Sequence, residues 1–105
     1  MTPVEGLDGI DLKSISPGSM IDVETKSRHY HIECLGGDTM RISGHPKFCP
    51  VPVLAQLQGS VGQEGPIDAG QITRGKHLIF ILDRRTSVTT SKVVNVHVDR
   101  PFEPL

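Results

Sequence analysis

The chain has 105 residues, and its 11 Lys and Arg nearly balance 12 Asp and Glu for a formal net charge of -1 at pH 7, so it lacks the broad positive field of a dedicated nucleic-acid binder. Hydrophobic residues are 36% of the chain, with one Tyr, three Phe and no Trp, and 11 Gly and 8 Pro break it into short elements around a small aliphatic core. No run approaches the ~20 apolar residues that span a bilayer, and no basic start feeds an apolar stretch of the secretory type; the expectation is one cytoplasmic domain outside the membrane, with reduced thiols.

Residues 1–14 read as a loose N-terminal arm, because Gly6 and Gly9 interrupt each short apolar signal in "MTPVEGLDGIDL". A single β domain is expected over 15–102, followed by a tail at 103–105. Pro17-Gly18 suits a type II turn, in which Pro fixes φ and Gly accepts a positive φ. Ile21, Val23 and Thr25 then alternate with Asp22 and Glu24, the period of a half-buried strand at 20–25. A turn at Lys26-Ser27 leads into a strand at 29–35, with Tyr30, Ile32 and Cys34 inward and His29, His31 and Glu33 outward. Gly36-Gly37-Asp38 is a hairpin signal, and Met40 and Ile42 face inward on the strand at 38–43.

"HPKFCPVPV" carries Pro46, Pro50 and Pro52 and reads as an extended crossing segment, since each Pro removes a ladder donor. Leu54, Leu57 and Val61 fit a helical turn, whereas Val53, Ala55 and Leu57 fit a strand; Gly59 and the β-rich surroundings favour a strand at 53–58. Residues 63–75 read as a polar, turn-rich loop. "KHLIFILD" supplies the most apolar strand, at 76–82, and Arg84-Arg85 a solvated turn. The last strand, 87–98, bends near Ser91 and ends with Val94, Val96 and Val98 inward and Asn95, His97 and Asp99 outward; Phe102 is expected to cap the open end.

With no long periodic helix, these elements predict an all-β fold: a small single-domain barrel or compact sandwich with about six strands. Two stretches echo each other. "ISPGSMI" at 15–21 and "ITRGKHL" at 72–78 both read Ile, polar, any residue, Gly, two residues, aliphatic. The echo marks either two similar β meanders closing one barrel or a chance likeness between short strands. The succession "IDVETKSRHYHIE", "GSVG", "ITRGKHLIF" and "VTTSKVVNV", within residues 15–98, resembles a group of small uncharacterised bacterial β-rich proteins. In that group a glycine-led strand precedes a Thr-Ser step and a final valine-rich strand. The resemblance implies a β fold and brings no activity to carry over.

Four kinds of chemistry are open to these residues. His29, His31 and Glu33 share a strand face at steps of ~7 Å and, with His97 or His45, offer the ligand types of a zinc site. The plainer reading of that face is a solvated sheet surface. For nucleophilic catalysis, Cys34 points away from the histidines, Cys49 beside Pro50 is expected to be the more accessible thiol and stands four residues from His45 with Pro46 between them, and Ser87, Thr89, Thr90 and Ser91 lack a positioned base. No catalytic residue is assigned. "GSVGQEG" lacks the Lys-Ser/Thr ending of a phosphate-binding loop. Arg74, Lys76, Arg84 and Arg85 bracket one strand and are expected on one end of a barrel as a basic binding patch. Scarce aromatic residues weigh against nucleic acid, whose bases stack on such groups. Phe48, Val51, Val53 and Phe102 are candidate protein contacts. The functional expectation is a non-enzymatic binding or protein-interaction module without a cofactor, acting as a homodimer or on a protein partner. The alternative is a metal-binding protein or metal-dependent enzyme that holds zinc on the His29/His31/Glu33 face.

Overall fold

Side chains that alternate inward and outward make the strands, and tight turns pair each strand with its neighbours. The computed structural model describes residues 9–63 and 65–99. Its strands are β1 (Gly9–Asp11), β2 (Met20–Thr25), β3 (His29–Gly36), β4 (Thr39–Ser43), β5 (Val53–Val61), β6 (Asp68–Ala69), β7 (Gln71–Thr73), β8 (His77–Leu82) and β9 (Thr86–Asp99). A 3-10 turn at Leu12–Ser14 follows β1. The main sheet has seven strands in the order β4-β3-β2-β9-β8-β5-β6, and a further β4–β5 pairing joins six of them in a hydrogen-bonded ring. Each strand of that ring is therefore paired on both sides, the arrangement that removes exposed sheet edges. The pairings around the ring are antiparallel. β1 and β7 form a separate two-stranded sheet.

Two long strands turn the corners. β9 pairs with β8 over 86–92 and with β2 over 93–99. β5 pairs with β4 over 53–56 and with β8 over 55–61. Inside the ring Ile21, Val23, Ile32, Met40, Ile42, Leu78, Phe80 and Val96 are fully buried, each such side chain worth roughly 1.5–3 kcal/mol of transfer free energy. Tyr30 meets Phe80 edge to face, with ring centroids 6.1 Å apart. Leu12 and Ile72, from the β1 and β7 region, join the same core.

The all-β expectation holds, and six of the strands fall within a few residues of their predicted bounds. Several details differ for physical reasons. β5 runs on to Val61 because a bulge between Leu57 and Gly59 absorbs the glycine. Gly59 sits at φ +146, and a Cβ there would lie 2.1 Å from the Asp68 carbonyl oxygen. The stretch 63–75, read as a loop, holds β6 and β7. β6 pairs with Gly59 and Ser60 of β5, and buried Ser60 anchors β7: its Oγ donates to the Gln71 carbonyl at 2.7 Å and accepts from the Thr73 N–H at 3.0 Å. The arm contributes β1, which pairs with β7, and buried Leu12. Val94 faces outward rather than inward: a register shift at Glu24/Thr25 pairs those residues with Asn95 and Val93 and leaves Val94 unmatched. Cys49 is fully buried, not accessible. The first eight residues, Phe102 and the 103–105 tail lie outside the described residues. No helix among the described residues is long and apolar enough to cross a membrane.

The sequence echo is a repeated piece of backbone. In Ser16–Ser19 and in Thr73–Lys76 the fourth N–H donates to the first carbonyl, at 3.1 and 3.2 Å. The third residue is Gly in each, at φ +91 and +88, the type II pattern. Gly18 N–H then donates to Cys34 at 2.8 Å and Cys34 N–H returns to Ser19 at 2.9 Å. Gly75 N–H donates to Val93 at 2.8 Å and Val93 N–H returns to Lys76 at 2.9 Å. One turn opens β2 and the other opens β8.

Candidate functional site

The strand register places the histidines in rows. Ser43, His31, Asp22 and His97 lie side by side across β4, β3, β2 and β9. His29 and His31 stack, with ring centroids 5.3 Å apart and planes 11° apart. The structure therefore brings these two together and sets His97 two strands away. Each nearby group has its own partner: His31 Nδ1 donates to Asp22 at 2.5 Å, Arg41 donates to Glu33 at 2.9 Å, and His97 Nε2 lies 3.2 Å from Asp99. Among the described residues, no group of three or more His, Cys, Asp or Glu is arranged to hold a metal ion.

The thiols are unsuited to nucleophilic work. Cys34 and Cys49 are free and buried. Burial, with Glu33 adding in the same direction, pushes the Cys34 thiol up to about 11. Burial also raises Cys49, against a backbone hydrogen bond from the His45 region that lowers it. Raised thiols hold little thiolate at neutral pH, and the thiolate is the nucleophile. Burial first, and then Cys49, raise the Tyr30 hydroxyl, and Tyr30 lies four residues along β3 from Cys34, or about 13 Å of strand. His45 Nδ1 is turned to the backbone, where it accepts from Lys47 N–H at 3.1 Å and Phe48 N–H at 3.3 Å, and is not paired with Cys49 Sγ. Of the expected contact groups, Phe48 and Val53 pack against the core and Val51 is exposed.

The four residues of the expected basic patch do not gather on one end. Arg74 and Lys76 precede β8, and Arg84 and Arg85 follow it, so roughly 20 Å of strand separates the pairs. Arg84 sits with Asp83 in a tight hairpin turn, both at positive φ, closed by Arg85 N–H donating to Leu82 at 3.1 Å. This turn rims a shallow cleft with Leu54, Gln56 and Ile81.

At the other end of β8 a different cationic cluster forms. The β2–β3 turn and the β7–β8 turn both hydrogen-bond to the bend of β9. Lys26 N–H donates to Lys92 carbonyl at 3.0 Å, and Ser27 N–H donates to Ser91 Oγ at 3.1 Å. Val93 N–H donates to Lys76, and Gly75 N–H donates to Val93. Lys26, Arg28, Arg74, Lys76 and Lys92 are thus collected from three segments far apart in sequence. Lys26, Arg28 and Arg74 are exposed. Lys76 is ion-paired with Asp68 at the margin, and Glu24 stands farther back on β2, in the row of His29 and Asn95. Thr25 fixes the β2–β3 turn by accepting from Arg28 N–H at 3.0 Å and donating to the Arg28 carbonyl at 3.0 Å.

The fold does not require this charge. The equivalent turn at 16–19 is Ser-Pro-Gly-Ser where the second is Thr-Arg-Gly-Lys, and Glu33 holds the place before Cys34 that Lys92 holds before Val93. The same backbone is built with neutral and acidic residues in one copy and basic residues in the other. Sequence reasoning found Arg74 and Lys76 but missed Lys26, Arg28 and Lys92. "KSR" and "TSK" do not advertise proximity; only the register of β2 on β9 shows it.

No protein-family model matches the chain, and no curated protein or solved structure matches it. The site therefore rests on its own geometry.

Proposed function

We propose that this chain is a non-enzymatic interaction module that holds an acidic segment of a partner protein at the Lys26/Arg28/Arg74/Lys76/Lys92 cluster. One observation carries the reading: three separate segments deliver cations to one place, and the twin turn shows that for two of them, 73–76 and 92–93, the same backbone forms without basic residues. A ring of strands paired on both sides gives a rigid platform for such a surface. An acidic protein segment fits better than nucleic acid, because Tyr30 and Phe80 are buried and Phe48 packs on the core, which leaves no described Phe or Tyr free to stack on bases. Such a patch favours encounter and partner choice, and its effect falls with salt.

The test is fluorescence anisotropy of a labelled poly-aspartate peptide at low and moderate salt. The wild type binds with an affinity that falls as salt rises. Lys26→Glu with Lys92→Glu weakens binding at least about ten-fold. Arg84→Glu with Arg85→Glu makes the same change in net charge at the far end of β8 and, at moderate salt, leaves binding within about two-fold, since it lies beyond roughly a Debye length there. Equal losses in both variants would reduce the effect to overall charge and refute the site.

A further inference from the structure

We propose that His45, Lys47 and Arg28 form a proton-linked carboxylate site that continues the cationic surface, so that a bound acidic side chain and a proton on His45 stabilise each other. This rests on the anionic-partner reading above.

The tip 44–49 is folded over the start of β3. Gly44 lies so close that a Cβ there would stand 2.2 Å from the His29 carbonyl oxygen, at φ +127. Gly44 N–H donates to Cys49 and Cys49 N–H donates to His45, both at 2.9 Å. Within this tip the His45 ring tilts against Phe48 at 4.8 Å, and Lys47 Nζ lies 5.4 Å from the Phe48 ring centre. Because Nδ1 accepts from two backbone N–H groups, the neutral ring must carry its proton on Nε2. That N–H is a donor available to a carboxylate.

Protonation changes both sides of the ring. Nδ1 then becomes a donor aimed at two other donors and loses those bonds. The whole ring also gains a positive charge beside Arg28 and Lys47. Loss of solvent, followed by the charges of Arg28 and Lys47, holds His45 below its ordinary value. Burial raises Tyr30 and Cys49, so they stay neutral where His45 titrates; His29, whose carbonyl Gly44 overlies and whose ring stacks on His31, is a further titratable group at this end. A carboxylate placed among His45, Arg28 and Lys47 offsets the repulsion that opposes protonation. By linkage, protonation then tightens the hold on that carboxylate by the same factor.

The experiment measures poly-aspartate affinity at pH 7.5 and 5.8, where aspartate remains ionised, for the wild type and three variants. Wild-type affinity rises about five-fold on acidification, the low end of typical coupling. His45→Asn keeps an acceptor for Lys47 and Phe48 N–H without titrating, so its affinity is level across the two pH values. His77→Asn, which removes the histidine paired with Lys92 on β8, retains the rise. Lys26→Glu with Lys92→Glu weakens binding at both pH values and so reports on the parent reading alone. Wild-type binding that is level with pH, or a full rise in His45→Asn, overturns the proton link and leaves the cationic cluster standing. No wild-type binding at either pH overturns both.

Discussion

Cys34 is the residue whose environment makes the clearest demand on stability. Its side chain is buried beside Met40 in the β3–β4 ladder, and its thiol titrates at about 11 rather than 9.0. A raised value favours the protonated form in the folded chain. The contribution is therefore whole below pH 9 and is lost as pH rises toward 11. At 1.36 kcal/mol per pKa unit, urea unfolding should show a loss of about 2 kcal/mol between pH 8 and 10.5 beyond that of Cys34→Ala. Parallel pH profiles for the two proteins would contradict this account of the thiol. Residue chemistry of this kind was half visible in the sequence. The alternation of Tyr30, Ile32 and Cys34 placed Cys34 inward correctly. The burial of Cys49 is not legible in the sequence, because three prolines conceal a tip closed by a His45–Cys49 bridge.

At the scale of elements, Ser60 does work that strand propensity does not express. Its hydroxyl is the hydrogen-bonded joint between β5 and the β7 ladder. Ser60→Ala leaves a carbonyl and an N–H without that partner and should cost about 1–3 kcal/mol in chemical denaturation. Amide exchange should accelerate first at β1 and β7, which pair with each other; uniform acceleration through β8 and β9 would show that the joint is not local. The contrast explains what was legible. β2, β3, β4 and β8 announce themselves by period-2 burial and turn residues, and their register follows. β6 is two residues long and pairs with β5 only at Gly59 and Ser60, and β7 is three residues long and is tied to β5 by one distant hydroxyl, so no local pattern marks them. The echo between 15–21 and 72–78 was visible as letters, but its meaning as a shared turn needed hydrogen bonds.

The whole molecule separates its charges in a way that composition hides. A net charge of -1 conceals a cationic cluster where two turns meet the bend of β9, apart from the Asp22, Glu33 and Asp99 positions on the β2, β3 and β9 face. The basic residues were partly legible, because Arg74 and Lys76 stand out beside the apolar strand. Their true neighbours were not, because Lys26 and Lys92 are 66 positions apart and meet only through the β2–β9 register. The most direct test of this arrangement is backbone amide NMR of the labelled protein titrated with poly-aspartate peptide at pH 7.5. Shift changes should be confined to 26–28, 74–76 and 91–93, with the tip at 45–48 adjoining them. Changes centred on the 83–85 turn or on the His31/Asp22/His97 row, or none at all, would contradict the assignment of the cationic cluster as the binding surface.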